Sequence, residues 1–242
     1  SKMYLDRSGN LGDCVQPCRW SHRKYQVSNP KSQIDIQAEG HDEVLELYEE
    51  EHGSYILNSK DLCLIEHLAE LAEAGISSFK IEGRAKSSYY QGVVTGIYSR
   101  ALESIQNDKK EDIGFLKSEL ETKILHRGYT KGFLLGGKAD QNLEETHIKS
   151  EWEFCGQVFA STKFQVPNSK KVLVKVHNSI KVGDRIEIVR PKYDRLKMEV
   201  VNMFEVETGE EITEAHGGQE RSVLLEVGED VPEFSVLRRK II

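Results

Sequence analysis

The period of the apolar residues changes once along this chain, from about 3.6 to 2, and that change near residue 150 limits what the chain can fold into. Before it, short apolar runs alternate with amphipathic stretches. Tyr55-Ile56-Leu57 reads as a strand, followed by Asn58-Ser59 as capping residues and Asp61 in a first helical turn, so a helix is expected from there. Leu62, Ile65, Leu68 and Leu71 continue it, and Gly75 stands where a left-handed cap would end it near Ala74. Ser78-Phe79-Lys80-Ile81 reads as a second strand. Val93, Val94, Ile97, Ala101, Leu102 and Ile105 then share one face of a helix opening near Ser87. Strand, helix, strand, helix with short connections implies parallel strands joined by right-handed crossovers, in a (β/α) barrel or a doubly wound sheet.

Outside that core pattern, Ile34 and Ile36, the turn residues Glu39 to Asp42 and the run Val44 to Tyr48 suggest a hairpin. Phe115, Leu116, Leu120 and Ile124 fit one more surface helix, and Gly128 to Lys138 interrupts regular structure. From Trp152 onward, residues 156–159, 172–176, 184–189, 198–206 and 222–227 are five strand candidates separated by turn residues, predicting a compact β-barrel or sandwich. The boundary is placed at the polar stretch from His147 to Glu151, giving domains 1–148 and 149–242.

Two loops follow the expected parallel strands, where α/β folds bind ligands. Asn58, Lys60 and Asp61 occupy the first, as candidate substrate-binding residues. Lys80, Glu82, Arg84, Lys86 and Ser87 occupy the second; Gly83 lets the backbone turn, and Ser87 can cap a helix whose N-terminus would face an anion. An anionic substrate or phosphate suits this set. A solvated Glu82–Arg84 pair at a helix entrance is the competing reading. Cys14 and Cys18 place two thiols within reach of one metal, but zinc and iron–sulfur sites need more thiolates, from Cys63 or from outside the chain. Two buried unliganded cysteines explain the pair equally well, and Cys155 reads as core. No nucleophile triad or zinc-protease spacing can be built from the sequence order.

Charge and cysteine usage constrain partners. A net charge of −7 means that nucleic acid would have to be held by a local basic patch. No apolar run approaches the roughly 20 residues of a membrane-spanning helix, the N-terminus lacks a secretory pattern, and the sparse cysteines suit a reducing cytoplasm.

Three stretches in order, Gly12-Asp13-Cys14-Val15-Gln16-Pro17-Cys18-Arg19-Trp20, Asn58-Ser59-Lys60-Asp61-Leu62 and Phe79-Lys80-Ile81-Glu82-Gly83-Arg84, resemble peptidase family U32. His126-Arg127-Gly128-Tyr129-Thr130-Lys131-Gly132-Phe133 resembles a further segment of that family, and the closing β-module resembles its C-terminal domain. The resemblance implies the C-terminal part of a TIM-like (β/α) barrel followed by a small all-β barrel like those of translation factors, which often meet RNA. It implies a factor for prephenate-dependent 5-hydroxylation of the tRNA wobble uridine, acting on tRNA and a small anionic, prephenate-like substrate, or alternatively a collagenase-like protease acting on peptides. It also implies catalytic roles for Lys80, Glu82 and Arg84, and a [4Fe-4S] cluster on Cys14, Cys18 and, as a less certain third ligand, Cys63. The family's upstream cysteine segment has no counterpart here, so the chain is expected to be a truncated, incomplete enzyme with an incomplete cluster.

Overall fold

A strand needs a hydrogen-bonding neighbour, and the segment from Gln33 to Glu50 supplies its own. The computed structural model describes residues 22–24, 33–40, 42, 44–50, 53–55, 59–84, 86–107, 111–137, 140, 142, 147–159, 171–218 and 220–241. In it, β2 (Gln33–Ala38) and β3 (Val44–Glu50) form the expected hairpin, with Ile36 opposite Leu45 and Gly40 at a φ of +79° in the turn. Positive φ there suits a residue without a Cβ. β1 (His22–Lys24) and β4 (Gly53–Tyr55) flank the hairpin in a four-stranded antiparallel sheet.

The chain divides into two compact units, one of residues 1–63 with 126–148 and one of 64–125 with 149–242. Within the first, β5 (Asp61–Leu62) and β6 (Tyr129–Thr130) are paired in parallel, and among the described residues parallel pairing is confined to them. Two expectations are corrected here. Asp61 does not open a helix, because the amides of Asp61 and Cys63 donate to the carbonyls of Gly128 and Thr130 and hold the backbone extended. Helical structure begins instead with a 3-10 turn at Ile65–His67 and α1 (Leu68–Glu73), which ends as expected at Ala74 with Gly75 at a φ of +92°. Ser78 to Ile81 carries no strand pairing, since no described strand lies alongside it, and Ile81 is exposed. Asn58 lies outside the described residues.

In the second unit, Ser87 caps α2 (Ser88–Gln106) by accepting from the Tyr90 amide at 3.3 Å, and α3 (Glu111–Lys123) follows. The strands β7 (Trp152–Phe159), β8 (Lys171–Val176), β10 (Arg185–Arg190), β11 (Asp194–Glu199), β12 (Met203–Glu205), β14 (Ser222–Glu226) and β15 (Val236–Lys240) form one antiparallel sheet in the order β11-β10-β15-β7-β8-β14-β12. A separate pair joins β9 (Ser179–Lys181) to β13 (Glu214–His216). Met198 from one edge of the sheet, Met203 from the other and Ile180 and Ala215 from the separate pair all pack into one apolar cluster. Side chains from opposite edges can share a cluster only if the sheet curls, so the module is a half-barrel closed around a single core. The stretch 198–206 is two strands rather than one, because β11 and β12 lie at opposite edges and Val200 to Asn202 passes between them.

The same alternation that fills the core leaves an outer face. Val236 and Arg238 of β15 sit there, and α2 covers them closely: a Cβ on Gly92 would stand 3.5 Å from Val236, and the Tyr89 ring stacks on Phe154 at 5.3 Å. No helix in the described residues is long and apolar enough to cross a membrane.

Candidate functional site

In the first unit, the segments carrying Asp61 and Arg127, 66 residues apart in sequence, are held as adjacent backbone strands. The Asp61 carboxylate accepts from the Arg127 amide at 3.0 Å, from Nε at 3.1 Å and from Nη2 at 2.5 Å. A carboxylate bound by one guanidinium through two nitrogens, with a backbone amide added, is fixed in position and direction. Lys60 lies beside it. Its amide donates to the Asp140 carbonyl at 3.1 Å and its Nζ pairs with the Asp140 carboxylate at 2.8 Å. Gly128, at a φ of +87°, allows the close passage: a Cβ there would meet the Lys60 stem at 3.3 Å. His126 is buried, its Nδ1 accepts from the Gly128 amide at 3.0 Å, and its ring stacks on Tyr129 at 4.2 Å. That bond leaves the proton of a neutral imidazole on Nε2. The sequence reading selected Lys60 and Asp61 as substrate contacts. In the structure Lys60 pairs with Asp140 and Asp61 with Arg127, and the cation that Asp61 orients was visible beforehand only as part of the segment from His126 to Phe133.

The second candidate loop belongs to the other unit. Glu82 accepts from the amide and Nε of Arg84 at 3.2 and 3.1 Å, and Lys80 Nζ stands 3.9 Å away. These side chains are open to water, at 85% for Lys80 and 90% for Arg84. The Arg84 side chain holds the Glu82 carboxyl below its ordinary range. Lys80 therefore projects from an exposed loop, not from an apolar strand. Gln91, which sequence reasoning missed, fastens the loop to α2 by donating to the carbonyls of Gly83 and Lys86 at 3.0 and 3.1 Å. Lys86 lies over the Tyr90 ring at 5.1 Å.

Cys14 and Cys18 lie outside the described residues. Cys63 is half-buried next to β5, and among the described residues no three His, Cys, Asp or Glu side chains form a metal-binding group. The described residues alone thus do not make a cluster site.

A third assembly had no sequence signal. Arg238 is fully buried and donates to Glu187, to Glu119 at 3.2 Å and to the hydroxyls of Tyr193 and Tyr89 at 2.9 and 3.4 Å. Lys123 pairs with Glu119 at 2.8 Å and lies 4.4 Å over the Trp152 ring. Burial works against the charge on Arg238, but Tyr89, Tyr193 and Glu187 around it raise its pKa on balance. Burial alone would raise the Glu119 pKa, yet hydrogen bonds from Lys123 and Tyr193 and the charges of Lys123 and Arg238 hold it below its ordinary value.

The profile of peptidase family U32 matches residues 1–144, and that of the U32 C-terminal domain matches residues 150–238. The chain belongs to peptidase family U32. Similar U32 proteins include the tRNA hydroxylation protein P of Escherichia coli, 32% identical over 77% of this chain and 46% of its own length. The tRNA hydroxylation protein P of Haemophilus influenzae is 28% identical over 98% of this chain and 57% of its own. An uncharacterized protease of Methanocaldococcus jannaschii is 34% identical over 78% and 43%. The chain spans about half the length of these relatives. In this U32 chain, α2 and α3 fall within the first family match yet belong to the same compact unit as the C-terminal half-barrel.

Proposed function

We propose that this chain is part of a tRNA-modification factor that takes part in prephenate-dependent 5-hydroxylation of the wobble uridine. The observation that carries the reading is the likeness, over 98% of the chain, to a protein named for tRNA hydroxylation. The exposed pair of cations Lys80 and Arg84, with Lys86 and the Ser87-capped helix start beside them, supports an anionic partner such as RNA phosphate or a prephenate-like carboxylate. Glu82 positions Arg84 in that role. Asp61 positions Arg127, a second guanidinium suited to a carboxylate or phosphate. A TIM-like barrel for the first part, a [4Fe-4S] cluster on Cys14 and Cys18 with Cys63, and a cytoplasmic location belong to the same proposal. Iron and sulfide analysis of the full-length protein prepared without oxygen tests the cluster.

The test of function is restoration. A bacterial strain lacking its tRNA hydroxylation protein is given the full-length protein that carries this segment, and tRNA nucleosides are quantified by mass spectrometry. Return of 5-hydroxyuridine derivatives is expected; tRNA left unmodified by a folded protein overturns the reading. The protease reading rests on the family's peptidase name and on the name of the archaeal relative. Cleavage of a peptide substrate, abolished by Glu82→Gln, would establish it instead.

A further inference from the structure

We infer that the uncovered part of the half-barrel's outer face seats one nucleotide of single-stranded RNA; the choice of RNA rests on the reading above. A pocket of about 440 Å³ opens there, lined by Trp152, Arg185, Glu187, Lys197, Glu199 and Lys240 together with Ile186 and Met198. Arg185 lies opposite Glu199 and Lys197 opposite Glu187 across β10 and β11. Arg185 and Lys197 are exposed, and neither forms an ion pair among the described residues. They remain available to phosphate, whereas Lys240 already pairs with Glu151 at 3.0 Å. In a chain of net charge −7, such a local pair is what a polyanion would require.

A bare anion does not fit the rest of the pocket. Glu187 is only 2% exposed, and its Oε2 accepts no hydrogen bond among the described residues, the Arg195 guanidinium standing beyond bonding reach at 3.9 Å. A buried carboxylate oxygen without a donor is costly, and a ligand carrying an N–H group would satisfy it. Trp152 adds a half-buried aromatic wall, and stacking on such a ring is tolerant of base identity. A ligand with a flat ring, N–H donors and a flanking phosphate combines these demands, and a nucleotide of an unpaired strand is such a ligand.

The 242-residue chain and its Arg185→Gln/Lys197→Gln variant are titrated into a labelled short single-stranded RNA, followed by fluorescence anisotropy across a salt series, with circular dichroism to verify folding. The variant is expected to bind at least about tenfold more weakly, with a salt slope shallower by about 1.4, the value for two lost contacts to a single strand. An abasic oligonucleotide is expected to bind more weakly than its base-bearing equivalent. Absence of binding by the parent, equal binding by the folded variant, or equal binding of the abasic strand each overturns the inference. Were tRNA hydroxylation not restored while these results held, the functional reading would fall and the nucleotide site would stand. Restored hydroxylation with a variant that binds like the parent would remove the nucleotide site alone.

Discussion

Arg238, with no exposure to water, donates from Nη2 to Oε2 of Glu119 at 3.2 Å and so ties the interior strand β15 to helix α3. Glu187 on the neighbouring strand and Tyr193 in the turn after it complete the ring of partners. A buried ion pair is weak evidence of net stability, because removing both charges from water offsets much of their attraction. Breaking one partner is another matter, since the survivors are left charged in the interior.

Arg238→Ala should therefore destabilise the second unit by about 3–5 kcal/mol, the usual loss when one member of a buried pair is deleted. Chemical denaturation of parent and variant measures this. A loss below about 1 kcal/mol, the scale of a surface pair, would show that water reaches Glu119 and Glu187 freely.

Acid should weaken the same assembly. The Glu119 carboxyl is held below its ordinary value of 4.5 in the folded chain, with burial opposing and Lys123 and Tyr193 prevailing. A depressed carboxyl contributes stability that is present above the unfolded value and lost as pH falls through the folded one. Stability should thus drop from about pH 4.5 downward, and Glu119→Gln should show a flatter profile there. Identical acid profiles for the two proteins would contradict the assignment.

The parts of this molecule that obey a local period were readable in advance. The hairpin of β2 and β3, the Ser87 cap and the end of α1 at Gly75 depend on neighbouring residues, and each lies where the sequence places it. What failed depended on distant partners. Asp61 has the chemistry of a helix first turn, but the carbonyls and guanidinium of a segment 66 residues away claim it for a strand. Arg238 was given no role in advance, because only the distant carboxylates of Glu119 and Glu187 make a buried position tolerable for its charge. In the candidate sites, residue types were legible while their pairing was not: Arg127 and Gln91 act through contacts that no spacing announces.

Arg127→Ala should loosen the Asp61 segment without unfolding the second unit. The guanidinium bonds to a charged partner, a contact of about 1.5–3 kcal/mol. Hydrogen exchange should accelerate at the amides of Asp61 and Cys63, which donate to Gly128 and Thr130. Protection there equal to the parent's would show that the backbone pairing stands without the side-chain clamp.

Alkaline pH should reveal Cys155. Burial pushes its thiol from 9.0 up to about 12. The neutral thiol costs nothing extra in either state below pH 9, so its contribution is fully present there. Between pH 9 and about 12 the unfolded chain ionises first and stability falls, by about 1.36 kcal/mol per pH unit at most. Tyrosines and lysines titrate in that window as well, so the test is the difference between the parent and Cys155→Ala, which should lack this component. Matching slopes would place the Cys155 thiol in contact with water.

Gly96 offers a test in which helix propensity and packing predict opposite signs. It lies inside α2, where replacing glycine by alanine ordinarily stabilises by about 1 kcal/mol. Here a Cβ would stand 3.0 Å from the Tyr193 amide nitrogen and 3.5 Å from its Cα, both backbone atoms of the turn that presents Tyr193 to Glu119 and Arg238. Backbone cannot rotate aside as a flexible side chain can, so α2 and the turn must separate. Overpacking of this kind typically costs about 1–3 kcal/mol, which outweighs the gain in propensity. Gly96→Ala should lower the melting temperature, and Gly114→Ala in α3, where an added Cβ meets nothing within 4 Å, should raise it slightly. If both substitutions stabilised the chain, the close approach of α2 to Tyr193 would not exist in solution, and the buried position of the Tyr193 hydroxyl between Glu119 and Arg238 would lose its support.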